Sequence, residues 1–181
     1  MKKTISKTER ILSIYHLLKY CKEVSMKELT DLLPGSNKTF SRDIALLKSA
    51  GVQVRFSWRR MAFVLKSRER IEPDPELFED TAEKRQIEKL LRLMTIMDGM
   101  RKQPDPATWY RETFPGVSHR TMQRDFATLN RLGYYIRFQR ERNDEIEDYR
   151  EDESFRRYYC CDWPVGLGDA LHLDTFKRVE F

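Results

Sequence analysis

The chain has 181 residues, 35% of them charged, with 34 Lys and Arg against 29 Asp and Glu, for a net charge of +5. That length accommodates two modules of about 70–80 residues, each with a small core. The sequence has no run of 18 apolar residues, and the basic opening MKKTISKTER lacks the apolar stretch of a signal peptide, so the chain is read as cytoplasmic, with no membrane partner.

The charge is unevenly placed. Residues 1–70 hold 16 Lys and Arg against six Asp and Glu, net +10, whereas residues 71–181 hold 18 against 23, net −5. A basic half invites a polyanion. Cys21, Cys160 and Cys161 have no metal-ligand spacing and are expected to be reduced thiols. The sequence also lacks a phosphate-cradling glycine loop, a nucleophile matched to a histidine and a metal cluster, so neither an enzyme nor a cofactor is expected.

In chain order, Thr8 to Tyr20 predicts an amphipathic helix with Ile11, Ile14, Tyr15, Leu17 and Leu18 on its apolar side. Lys2, Lys3 and Lys7 before it suit either a phosphate backbone or a solvated, frayed terminus. Ser25 with Glu28 three residues on forms a capping-box signature for a second helix, which Pro34-Gly35 ends. Ser36 then caps a third helix whose Phe40, Ile44 and Leu47 share one face, before a stop at Gly51. Val52–Trp58 and Met61–Leu65 read as a hairpin with Arg59 and Arg60 at its tip. Trp58 is expected to pack on the helices, the usual fate of an aromatic on a two-stranded ribbon, rather than to stack on a sugar or base.

Residues 67–83, with Pro73, Pro75 and several acids, read as a linker, part of which docks through Leu77 and Phe78. Lys84 to Met97 carries the next apolar stripe, Ile87, Leu90, Leu91, Met94 and Met97. Ala107 to Phe114 is a short helix before Pro115-Gly116. Tyr134–Arg140 and Phe155–Cys161 read as strands. Between them, residues 141–154 hold eight acids against Arg142 and Arg150, net −6, a segment that is repelled by DNA, solvated, or matched to a basic partner. In the tail, residues 164–181, a helix that covers the second module or joins two chains is expected. His16 and His172 have no neighbouring ligand set and are read as ordinary residues.

One stretch occurs twice. Ser36 to Phe56, SNKTFSRDIALLKSAGVQVRF, returns 82 positions later as Ser118 to Phe138, SHRTMQRDFATLNRLGYYIRF, with nine of 21 positions identical. In each copy a buried face (Phe40, Ile44 and Leu47, or Met122, Phe126 and Leu129) opposes a polar row suited to phosphates and base edges. The shared pattern S-x-[KR]-T-x-x-R-D-x-x-x-L-x-x-x-G-x-x-[VI] resembles the winged helix-turn-helix of WYL-domain and DeoR-like bacterial transcriptional regulators, over roughly residues 5–65 and 85–163. Such regulators usually carry one module and a sensor domain, whereas this chain has two modules and no room for a sensor. The resemblance therefore implies DNA binding without ligand control.

The expected fold is mainly α with small β wings (α+β), as two winged helix-turn-helix domains in tandem. The expected boundaries are 1–66, the linker 67–83, 84–163 with a long acidic wing, and the tail 164–181. The expected partner is double-stranded DNA. Its candidate contacts in the first module are Ser36, Asn37, Lys38, Thr39, Ser41, Arg42, Arg55, Arg59 and Arg60. In the second they are Ser118, His119, Arg120, Thr121, Gln123 and Arg124. Lys38, Arg42, Arg120 and Arg124 suit phosphates or guanines, and Asn37, Ser41, His119 and Gln123 suit base edges. Arg10 and Arg92 also sit 82 apart, as do Asp43 and Asp125, which suggests that each aspartate pairs with the arginine of its own first helix. As an alternative, the first module alone binds DNA while the acidic second one meets a protein, or another copy of the chain, through its wing or the tail. Replication initiation by paired winged helices is a third possibility.

Overall fold

The computed structural model describes residues 5–73, 81–99, 106–142 and 155–162. They form an α+β arrangement of six helices, a three-stranded antiparallel sheet and a two-stranded antiparallel sheet. The chain divides into two compact units between Met94 and Thr95, inside the fourth helix.

The first unit is built around α1 (Lys7–Cys21). Ser6 caps it, accepting from the Glu9 amide while the Glu9 carboxylate takes the Ser6 amide at 2.7 Å. Ile11, Leu12, Ile14, Tyr15, Leu17 and Leu18 are all at most 2% exposed, so the helix is buried over far more than one stripe. Each such side chain contributes roughly 1.5–3 kcal/mol of burial. Lys22 ends α1 in the left-handed conformation. The chain continues as β1 (Glu23–Ser25), a strand that the sequence reading lacked, and then α2 (Met26–Leu32). Ser25 closes β1 and also caps α2 in the expected box with Glu28. Pro34-Gly35 leads into α3 (Asn37–Ser49), with Phe40, Ile44 and Leu47 buried as expected.

Gly51 stops α3 at φ 81°, and the Val52 amide reaches back to Leu47 O at 3.0 Å, a left-handed helix stop. The hairpin follows as β2 (Val54–Ser57) and β3 (Ala62–Leu65), and β1 adds to the far side of β3, giving the order β1-β3-β2. The register places Glu23, Val64 and Arg55 in one row and Val24, Phe63 and Phe56 in the next. Of the expected linker, residues 67–73 are described and begin bound to this unit. Ile71 donates to Gly51 O at 2.9 Å, and Gln53 Nε2 to Glu69 O at 3.1 Å. Leu77 and Phe78 lie outside the described residues. α4 (Thr81–Gly99) starts three residues before the expected helix, and its first part is bonded within the same unit: Gln86 Nε2 lies 3.4 Å from Thr8 Oγ1, and Arg70 donates to Leu91 O at 3.3 Å.

The second unit contains the end of α4, α5 (Pro106–Thr113) and α6 (His119–Arg131), followed by β4 (Tyr135–Arg142) paired with β5 (Phe155–Asp162). Its centre is aromatic: the Tyr110 ring meets Phe114 at 4.9 Å and Phe126 at 5.6 Å, both edge-on. Gly133, at φ 92°, ends α6, and the Tyr134 amide bonds Leu129 O at 3.1 Å, repeating the first unit's stop at the 82-residue offset. The acidic stretch 143–154 and the tail 163–181 lie outside the described residues. Among the described residues, no helix is long and apolar enough to cross a membrane.

Candidate nucleic-acid interface

The two repeated helices begin with the same cap. Ser36 Oγ accepts from the Thr39 amide at 3.3 Å and lies 3.0 Å from Thr39 Oγ1; Ser118 and Thr121 repeat the geometry at 3.2 and 3.0 Å. These four hydroxyls therefore build the helix starts, and both threonines are half-buried. Ser41 Oγ donates to Asn37 O at 2.9 Å, back into its own helix.

The remaining candidates point outward. Asn37, Lys38 and Arg42 are exposed along α3, and His119, Arg120, Gln123 and Arg124 along α6. Among the described residues, no hydrogen bond or ion pair engages these seven side chains. The helix N-terminus adds unpaired amides and a partial positive charge to the same end. Such a surface offers donors and acceptors in a row together with cationic ends, the chemistry that meets phosphates and base edges.

Each of the two helices carries one buried aspartate. Asp43, 1% exposed, takes Arg10 Nε on Oδ2 at 2.6 Å and Arg10 Nη2 on Oδ1 at 3.3 Å, a two-point pair across 33 residues of chain. Asp125, equally buried, accepts the Tyr110 hydroxyl on Oδ2 at 2.8 Å. The Arg10–Asp43 pairing agrees with the sequence expectation for the first copy. The Tyr110 bond has no repeat-based signal, because Tyr110 precedes the repeated stretch Ser118–Phe138. In the second unit, Asn130 adds a clamp of its own, donating to Ile136 O at 2.9 Å and accepting from the Ile136 amide at 2.7 Å.

The hairpin corrects one expectation. Trp58 does not pack on the helices: it is 78% exposed, touching the Phe56 ring edge-on at 4.9 Å. The four-residue turn Trp58–Met61 carries it past the last strand pair, Ser57–Ala62. Arg55 and Arg59 are exposed, while Arg60 pairs with Glu23 of β1. That pair is itself exposed and fixes geometry more than stability.

Other reactive groups are quiet. Cys21 is a free thiol held above its ordinary range by burial first and by Glu28 second, the opposite of an activated cysteine. Cys160 and Cys161 lie on β5, where only the backbone is described. Among the described residues, no group of three or more His, Cys, Asp or Glu could hold a metal ion. Comparison with protein-family models, with curated proteins and with solved structures finds no match to this chain.

Proposed function

We propose that this chain binds double-stranded DNA in a sequence-specific manner, as a transcriptional regulator of the bacterial type, with α3 and α6 as recognition helices of two winged helix-turn-helix modules. The supporting observation is the repetition of one exposed row on two identically capped helices: Asn37, Lys38 and Arg42 on α3, and His119, Arg120, Gln123 and Arg124 on α6. The two rows differ in chemistry, so one polypeptide would read two unlike half-sites, as a covalent pseudo-dimer. The resemblance of the repeated motif to WYL and DeoR-like regulators supports the same role, in the cytoplasm at the nucleoid, for a binding protein without catalysis.

A second function is favoured by the charge difference between the two stretches, net +10 for residues 1–70 and net −5 for residues 71–181. In it only the first module binds DNA, and the second docks a protein. Selection from a random-sequence duplex pool separates the two. The intact chain is expected to retain a bipartite site of about 15–25 base pairs. The R120A/Q123A/R124A variant is expected to retain only one half of it. Identical sites for both proteins would assign the second module to a protein partner, and no selection by either would refute DNA recognition.

A further inference from the structure

The tip of the hairpin carries the most exposed large apolar side chain among the described residues. Trp58 is 78% exposed and Met61 60% exposed, two large apolar side chains within four residues on a module that is otherwise strongly cationic. An exposed tryptophan on a mobile loop would mean little, but this tip is held in several ways. The Arg60 amide closes the turn on Ser57 O at 3.2 Å, and Met61 adopts φ 51°, a left-handed conformation that costs a non-glycine residue energy. β1 pairs with β3 through Ser25–Ala62, beside the turn, and the Arg60–Glu23 ion pair ties the tip to that added strand. The Phe56 ring holds the indole from one edge at 4.9 Å, leaving much of its surface in solvent.

A flat aromatic surface fixed in position, with cations beside it, suits a nucleic-acid base. Side chains of this kind enter between base steps and part their stacking, while base–aromatic stacking repays part of the cost. Arg55 and Arg59 are exposed on the same hairpin and supply the flanking positive charge. An anionic lipid surface would also attract an indole and arginines. The polar row Asn37, Lys38 and Arg42 on the helix leading into this hairpin favours DNA, since base edges use that pattern of donors and acceptors and a headgroup layer does not.

We propose that Trp58 is a wedge that stacks into a weakened base step of the bound duplex, with Arg55 and Arg59 on the adjoining phosphates, so that the preferred ligand is a duplex that kinks easily or carries a mismatch. This rests on the DNA-binding function proposed above. Flexible pyrimidine–purine steps and mismatches both lower the unstacking cost. The wedge therefore discriminates by deformability, separately from the base-edge contacts of α3.

The test uses the full chain and two duplexes of one sequence, one intact and one with a single central mismatch, titrated against wild type, W58A, W58F and R42A. Trp58 is exposed enough for W58A to fold, which thermal melting checks. Wild type is expected to favour the mismatched duplex by about 5–100-fold, because unstacking costs less at a mismatched step. W58A is expected to lose the preference, W58F to keep part of it, and R42A to weaken both duplexes alike while keeping the ratio. If wild type binds both duplexes equally, or W58A keeps the full preference, the wedge is wrong and DNA binding stands. If wild type binds neither duplex, the DNA-binding function fails and the wedge with it. If W58A loses only adhesion to vesicles of anionic lipid, the tip belongs to a membrane surface and the proposal is overturned.

Discussion

Asp43 lies on the buried side of α3, opposite the exposed row of Asn37, Lys38 and Arg42. Its buried carboxylate holds the half-buried Arg10, while the neighbouring Arg42 is exposed on the same helix. Removing one member of a buried pair strands the other's charge at a cost of about 3–5 kcal/mol, and the partial exposure of Arg10 brings this pair to the lower end of that range. Asp43→Ala is expected to lower stability in chemical denaturation by that order, whereas Ser41→Ala, on the exposed side, stays within about 0.5 kcal/mol. Equal losses would mean that the pair carries no special weight. His16 is half-buried, its imidazole stacked on Tyr20 at 4.2 Å, with Nδ1 shielded from solvent and without a hydrogen-bond partner among the described residues. Burial first and the Lys19 charge second push its pKa down to about 4, against an ordinary 6.5. The unfolded chain therefore binds the proton more readily. Stability from this site is complete above pH 6.5 and is lost as pH falls toward 4, by up to roughly 3 kcal/mol. Melting curves of His16→Phe are expected to fall less steeply than wild type across that window, and parallel curves would remove His16 as the cause.

The elements differ in how far local sequence specifies them. Both repeated helices start and stop where serine and glycine direct, because caps and left-handed stops act over four or five residues. The capping box of α1, Ser6 with Glu9, was equally legible by spacing, yet the apolar period alone places that helix start later. β1 is three residues long with Val24 its only buried member, too short to show an alternation, and its Ser25 already serves as a cap. The stop at Gly51 also holds tertiary information. A Cβ there would lie 1.8 Å from Ile71 O, whereas one at Gly116, with a similar φ of 87°, meets nothing within 4 Å. Gly116→Ala is thus expected to cost about 1 kcal/mol, the conformational term alone. Gly51→Ala carries that cost plus the displacement of residue 71 and its hydrogen bond, at least about 2 kcal/mol in all. Equal losses in paired thermal melts would show that the segment after the hairpin is only loosely attached.

For the whole molecule, charge and repetition were readable as totals, and they carry the DNA-binding proposal. If α3 and α6 both meet phosphates, replacing Arg120 and Arg124 by alanine should reduce the slope of log affinity against log salt by nearly two. An unchanged slope would leave DNA to the first module. The division of the chain was less legible. Prolines and acids after Ser67 suggest a linker, but residues 69–71 are bound to the first unit through backbone groups, which leave no trace in composition. The stripe of α4 likewise reads as one helix of one module, whereas the boundary between units falls inside it, at Met94–Thr95. Sequence by itself determined the repeat, the caps, the buried faces and the outward polar rows, because each follows from spacing along a single element. Only tertiary structure decided the third strand, the Tyr110 partner of Asp125, the seat of Ile71 on Gly51 and the exposure of Trp58. Those depend on which distant surface lies opposite a residue, and that is set by packing rather than by period.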